Sequence, residues 1–177
     1  MTNAVIDAIM QRRSIRKYKP DMVDKALIDR VMEAGLYAPS GEGKQSASII
    51  AVTDRELRDR IAEENRNIAG CWKEGFDPFY GAPVILIVIA NRESATAVYD
   101  GAVTLAAMML AAHSLGLGTC WIHRAKQEFE SDFGKDILKR LGIEGDYEGV
   151  GHLALGYPDG EPRQAAKRRE GRVFHIA

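Results

Sequence analysis

VILIVIA, residues 84–90, is a run of seven apolar residues bounded by Pro83 and Asn91, and five of the seven are β-branched. It shows no alternation of polar and apolar side chains, so neither face is suited to water; the run predicts a central strand covered on both sides. A helix over residues 95–115 follows, apolar on nearly all sides through Ala106, Ala107, Met108, Met109 and Leu110. All-round apolarity requires more than one packing neighbour. Either this helix is the core helix of a monomer, or a second subunit supplies one of its neighbours.

Working outward, Gly116 ends that helix and GLGTCWI (116–122) continues as a short strand or turn. Phe129, Phe133, Ile137 and Leu141 recur every four residues and predict one more amphipathic helix, with a last strand over Val150 to Tyr157. Upstream, Ser48 to Val52 reads as a strand, and Asp54 caps a helix with Leu57, Ile61 and Ile68 on one face. A helix over residues 24–37, with Leu27, Ile28, Val31 and Leu36 apolar, stops at Pro39. Thr2 or Asn3 caps a first helix bearing Val5, Ile6, Ile9 and Met10 on one face. Residues 70–83, GCWKEGFDPFYGAP, are irregular and rich in aromatic residues, Gly and Pro. A loop that long is a functional lid or an ordered cover for the core. Helices and strands alternate without tidy βαβ spacing and without repeats or a linker, which gives an α+β layer fold in one domain, residues 1–177.

The chain has 177 residues with 24 basic and 25 acidic side chains, a formal net charge of −1. That balance lacks the broad positive face of a nucleic-acid binder. Cys71 and Cys120 lie far apart and without metal-ligand spacing, which fits a reducing compartment. The first residues lack the pattern of a secretory signal, and the apolar run 101–112 is too short for a bilayer span, so a cytoplasmic protein is expected.

Against this neutral background, RRSIRKYK (12–19) gathers Arg12, Arg13, Arg16, Lys17 and Lys19 around Ser14. The segment is either a solvated basic face at a helix end or an anion site, and its guanidinium forks with one hydroxyl suit a phosphate. Lys167, Arg168 and Arg169 form a second basic cluster. PSGEGKQ (39–45) offers backbone amides of Ser40, Gly41 and Gly43 beside the Gln45 amide, a set of donors for the edge of a planar heterocycle, or else an ordinary Gly-rich turn. TCWIHR (119–124) places Trp121, Ile122 and His123 after the buried helix; a lone histidine is more often structural than catalytic. No nucleophilic triad, metal constellation or carboxylate pair stands out, and Cys120 has no cationic partner recognisable in the sequence, so it reads as a packing residue. Such a chain is equipped to bind and orient a cofactor that carries the chemistry.

The order of motifs RRSIRKY, APSGEGKQ (38–45), YGAPVILIVIA (80–90), DGAVTLAAMMLAAHSLGLGTCWI (100–122) and HLALGYPDGEP (152–162) resembles the FMN-dependent nitroreductase family over nearly the whole chain. The resemblance implies a central mixed or antiparallel sheet flanked by helices, an interwoven homodimer, and two FMN sites at the subunit interface. It implies that Arg12, Arg13, Ser14 and Arg16 bind the FMN phosphate and ribityl chain, with Lys167 and Arg169. Pro39, Ser40 and Gly41 would come from the other subunit to cover the flavin, and Gln45 would sit near its ring or ribityl chain. Ile122 and His123 would lie near the isoalloxazine, with a backbone amide of that segment at flavin N5; no side chain is assigned a catalytic role. The sequence departs from the family where Gly43 replaces a common Asn, and where Glu170-Gly171-Arg172 follows Arg169 in place of Lys-Pro-Leu-Glu.

The implied activity is reduction of a small electron acceptor, such as a nitroaromatic or quinone, by NADH or NADPH in a ping-pong cycle. The alternative is a flavin-binding or redox-sensing protein of the same fold without nicotinamide-dependent turnover. A nucleic-acid binder or membrane protein is disfavoured.

Overall fold

The computed structural model describes residues 3–176. In chain order its elements are α1 (Ala4–Gln11), α2 (Lys25–Leu36), β1 (Ala47–Val52), α3 (Arg55–Ala69), β2 (Val84–Asn91), α4 (Ala97–Ser114), β3 (Gly118–Ile122), α5 (Ala125–Glu130), α6 (Asp132–Arg140) and β4 (Tyr147–Gly156). The four strands form one sheet in the order β1-β2-β4-β3, every neighbouring pair antiparallel. The fold is α+β, with helices on both faces of the sheet.

The apolar run is the inner strand β2, and its alternate residues divide between two cores. Ile85, Ile87 and Ile89 pack with Ile61 of α3, Phe129 of α5 and Ile137 of α6. Val84, Leu86, Val88 and Ala90 face the other way, with Ile28 and Val31 of α2 and Leu105 and Met108 of α4. Every residue from Val84 to Ala90 is fully buried, which is why no polar residue interrupts the run. A β-bulge lies opposite Val88 and Ile89 in β4. There Val150 packs so closely on Gly101 of α4 that any Cβ at 101 would collide with it.

The helix expected over Phe129 to Leu141 is two helices. Ser131 breaks it with extended backbone (φ −79°, ψ 164°), donating from Oγ to the Glu128 carbonyl at 2.7 Å while also capping α6. Serine hydrogen bonds locally in this way and so favours caps over helix interiors. The remaining elements fall within a few residues of their expected bounds. Asn3 caps α1 through Oδ1, which accepts from Val5 and Ile6; Thr2, the other candidate cap, lies outside the described residues. The apolar face of α1 is formed but largely exposed, with Ile9 59% and Met10 68% exposed. Leu36, expected inward, is also exposed.

Candidate functional site

The basic segment leaves α1 and runs along the edge strand β3. Ser14 bridges Thr119 in parallel, and the Ile15 amide donates to the Thr119 carbonyl at 2.9 Å. Tyr18, buried, donates from its hydroxyl to the Ile15 carbonyl at 2.9 Å, and the Lys19 amide reaches the Tyr157 carbonyl at 2.9 Å. The segment is therefore a strap whose backbone is hydrogen-bonded to β3 at one end and to Tyr157 at the other.

The arginines differ in what they touch. Arg13 donates from Nη1 to the carbonyls of Met10 and Arg12, each at 2.7 Å, and so satisfies the end of α1. Arg12 is half-buried, and its Nη1 is inaccessible to solvent and has no hydrogen-bond partner among the described residues. An orphaned buried guanidinium nitrogen is costly, and an anion oxygen would satisfy it. Arg16 is exposed and lies over the Tyr80 ring, 5.8 Å from its centroid.

Cys120 is buried in the core, as the packing residue the sequence suggested. Burial pushes its thiol up, while the charge of Arg16, a hydrogen bond from Ser14 and the charge of Arg12 pull the other way. The Ser14–Thr119 bridge sets the strap beside β3, one residue from Cys120. The strap is also flanked by a chain segment that sequence reasoning missed: Asp159, Gly160 and Arg163 line a cleft of about 190 Å³ with Ser14 and Arg16. The signal available was PDGEPR, directly after the last strand.

The loop 39–45 sits elsewhere. Buried Asp100, in the first turn of α4, accepts from the Gly41 amide at 3.0 Å, Ser46 Oγ at 2.6 Å and Thr96 Oγ1 at 3.1 Å. The loop wraps this carboxylate so tightly that a Cβ on Gly41 would overlap Thr96. The Gly43 amide donates to the Ser40 carbonyl, and the Gln45 amide to Ser40 Oγ at 2.9 Å. The amides of Gly41 and Gly43, expected to be exposed donors, are therefore used internally. Pro39 and Gln45 are exposed. Asp100, which the sequence showed only as the bracket of an apolar run, organises the loop.

Hydrogen bonds, led by Ser46 and followed by Gly41 and Thr96, hold the Asp100 carboxyl below its usual range against the opposing effect of burial. A carboxyl held low contributes stability that is complete above the ordinary aspartate value of about 4 and fades as pH falls through its native value. Asp100→Asn is expected to lose about 2 kcal/mol at pH 7, near one charged hydrogen bond. Its denaturant midpoint should also fall less steeply than that of the parent between about pH 4 and pH 3. A parallel acid dependence in both proteins would refute this role.

Strap and loop are not brought together in one chain. Asp100 holds the loop at the start of α4, whereas Arg12 and Arg13 line a groove with His113 at the other end of that helix. Thirteen helical residues separate Asp100 from His113, about 20 Å at 1.5 Å per residue. Lys167, Arg168 and Arg169 are exposed and line a groove with Glu170 and Arg172.

At the far end of β3, Ile122 is buried and His123 exposed. The His123 carbonyl accepts from Asn65 Nδ2 at 2.9 Å, and Asn65 is itself fully buried on α3. Glu128 of α5 and His152 of β4 are also fully buried, with Oε2 and Nε2 3.1 Å apart. No side-chain nitrogen or oxygen of this pair has a well-formed hydrogen bond among the described residues. The turn after β3 is thus supported from within the core by polar groups.

Residues 70–83 form an ordered excursion. Asp77 receives the Arg58 guanidinium and the amides of Phe79 at 2.9 Å and Gly81 at 2.7 Å, while Arg58 Nε donates to the Ala82 carbonyl at 3.0 Å. Its base is therefore fastened to α3. Among the described residues no helix is long and apolar enough to cross a membrane.

An antiparallel sheet with helices on both faces and a basic strap along its edge strand defines a layered protein of the α+β class. Comparison with known sequences is more particular: the chain belongs to the nitroreductase family, whose family model matches residues 9–157. A Methanothermobacter thermautotrophicus protein assigned as NADH dehydrogenase/NAD(P)H nitroreductase is 33% identical, over 89% of this chain and 79% of its own length. The NADPH-flavin oxidoreductase of Vibrio harveyi is 28% identical, over 90% of this chain and 68% of its own. Among solved structures, a nitroreductase from Bacteroides fragilis with bound FMN superposes with a TM-score of 0.90 at 26% identity, covering 99% of this chain and 100% of that one.

Proposed function

We propose that residues 1–177 form one FMN-binding domain of an NAD(P)H-dependent oxidoreductase that reduces a small acceptor, a nitroaromatic or quinone, by a ping-pong cycle. The observation that carries this reading is the buried Nη1 of Arg12, which has no hydrogen-bond partner among the described residues, in the strap that pairs with β3 through Ser14. These residues fit the phosphate of FMN, with Arg13 backing them from the end of α1. Ile122 and His123 would border the ring, and the turn held by Asn65 would present its backbone amide there. Bound FMN would supply the redox chemistry, taking a hydride from NADH or NADPH and returning electrons to the acceptor. The protein fixes orientation, neutralises the phosphate and keeps one pocket open to both substrates in turn.

The site is completed by a second copy of the chain. Pro39, Ser40, Gly41 and Gln45 lie about a helix length from the strap of their own chain, so they would reach it only across a two-fold axis. Val5, Ile9 and Met10 of α1, Tyr37 after α2, and Tyr99 of α4, all exposed, are apolar surface of the kind an interface covers. Lys167 and Arg169, with Val173 and Phe174 beyond them, lie in an exposed tail that could engage the partner.

The visible spectrum and sedimentation of the purified protein test both parts. A yellow dimer releasing FMN, bleached by NADH or NADPH under anaerobic conditions, is expected, with parallel initial-velocity lines. A colourless protein that FMN cannot reconstitute would overturn the reading. Bound FMN that neither nicotinamide reduces would favour the sensor alternative.

A further inference from the structure

Five side chains form a row from the strap to the turn after β3. Arg16 lies over Tyr80 at 5.8 Å, Tyr80 meets Phe76 edge-on at 6.1 Å, Phe76 meets Trp72 at 4.9 Å, and Arg124 lies over Trp72 at 4.3 Å. The row thus brackets the strand that carries Cys120 and Ile122. All three rings are partly exposed. Arg124 directly follows His123 and sits at φ 83°, a conformation that non-glycine residues seldom adopt and that clusters at functional sites. It forms no ion pair among the described residues, unlike Arg58 at the base of the same excursion. One guanidinium face rests on Trp72, and its N–H edge has no acceptor among the described residues.

We propose that Trp72 and Arg124 form a substrate wall that selects planar aromatic acceptors carrying an anionic group. This deepens the oxidoreductase reading and rests on it. The indole and the neighbouring rings offer stacking surface to any flat acceptor, and the edge of Arg124 offers paired donors to a carboxylate. Arg16, at the opposite end of the row, stays with the strap, so the two cations serve different anions.

The test uses the FMN-loaded protein and two isosteric probes that are not reduced, 2-naphthoate and 2-naphthamide, with binding followed by calorimetry. The parent should bind the carboxylate about tenfold more tightly, the scale of one solvent-accessible charged hydrogen bond. Arg124→Gln, which keeps the backbone demand and removes the charge, should abolish that preference and change naphthamide binding less than about twofold. Arg124→Lys should keep part of it. Trp72→Leu should weaken both probes alike. No preference in the parent, a preference unchanged in Arg124→Gln, or release of FMN by that variant would each overturn the proposal. Anaerobic bleaching by NADPH, measured on the same samples, reports separately on the oxidoreductase reading.

Discussion

His152→Leu is expected to destabilise the protein by about 3 kcal/mol, because it leaves the fully buried Glu128 carboxyl without the imidazole that lies 3.1 Å from it. The urea midpoint should fall with little change in slope. The double variant Glu128→Leu/His152→Leu should recover most of that loss, since apolar residues of similar volume commonly replace a buried pair at little cost. A double-mutant cycle therefore measures the coupling. Single and double variants of equal stability would show that the two groups do not act as a pair. Phe79 packs edge-on against His152, with ring centroids 5.4 Å apart, so the double variant keeps an apolar neighbour.

Arg12→Ala and Arg16→Ala should each weaken FMN binding by about 1.5–3 kcal/mol, roughly 10- to 150-fold, through loss of a charged donor to the phosphate. Riboflavin affinity should change far less. Arg13→Ala gives the contrast: its guanidinium already serves the Met10 and Arg12 carbonyls, so its loss should lower stability more than it discriminates between the two flavins. Titration of the apoprotein with both flavins measures all three. Equal losses for FMN and riboflavin in the Arg12 and Arg16 variants would mean that these residues act through the fold.

The β2 strand was legible because burial on both faces leaves a uniform apolar run, a signal contained in one short window. Helix caps such as Asp54, whose Oδ1 accepts from the Leu57 amide at 2.8 Å, were legible for the same local reason. The break at Ser131 was not, since the four-residue period of Phe129, Phe133 and Ile137 continues across it. There the backbone of α5 approaches so closely that residue 134 has to be glycine, a tertiary fact that no helical period records. In the site, the strap was visible as a concentration of charge. Its docking along β3 was hidden, because the pairing of Ser14 with Thr119 joins residues more than a hundred positions apart. Asp100 and the Glu128–His152 pair were hidden likewise, each lying in a segment whose polar residues looked incidental. The amphipathic period of α1 was read correctly as a face, yet a period cannot say what covers it.

The strand order β1-β2-β4-β3 bears on how the protein is made. The last strand synthesised sits between the second and third, so β3 has no sheet neighbour until β4 emerges, and the strap has no settled edge to bind before then. The sheet therefore cannot be completed before β4 is made. Until residues 147–156 leave the ribosome, β2 exposes one hydrogen-bonding edge and much of its apolar surface. A nascent chain of this topology stays open to aggregation until β4 closes the sheet.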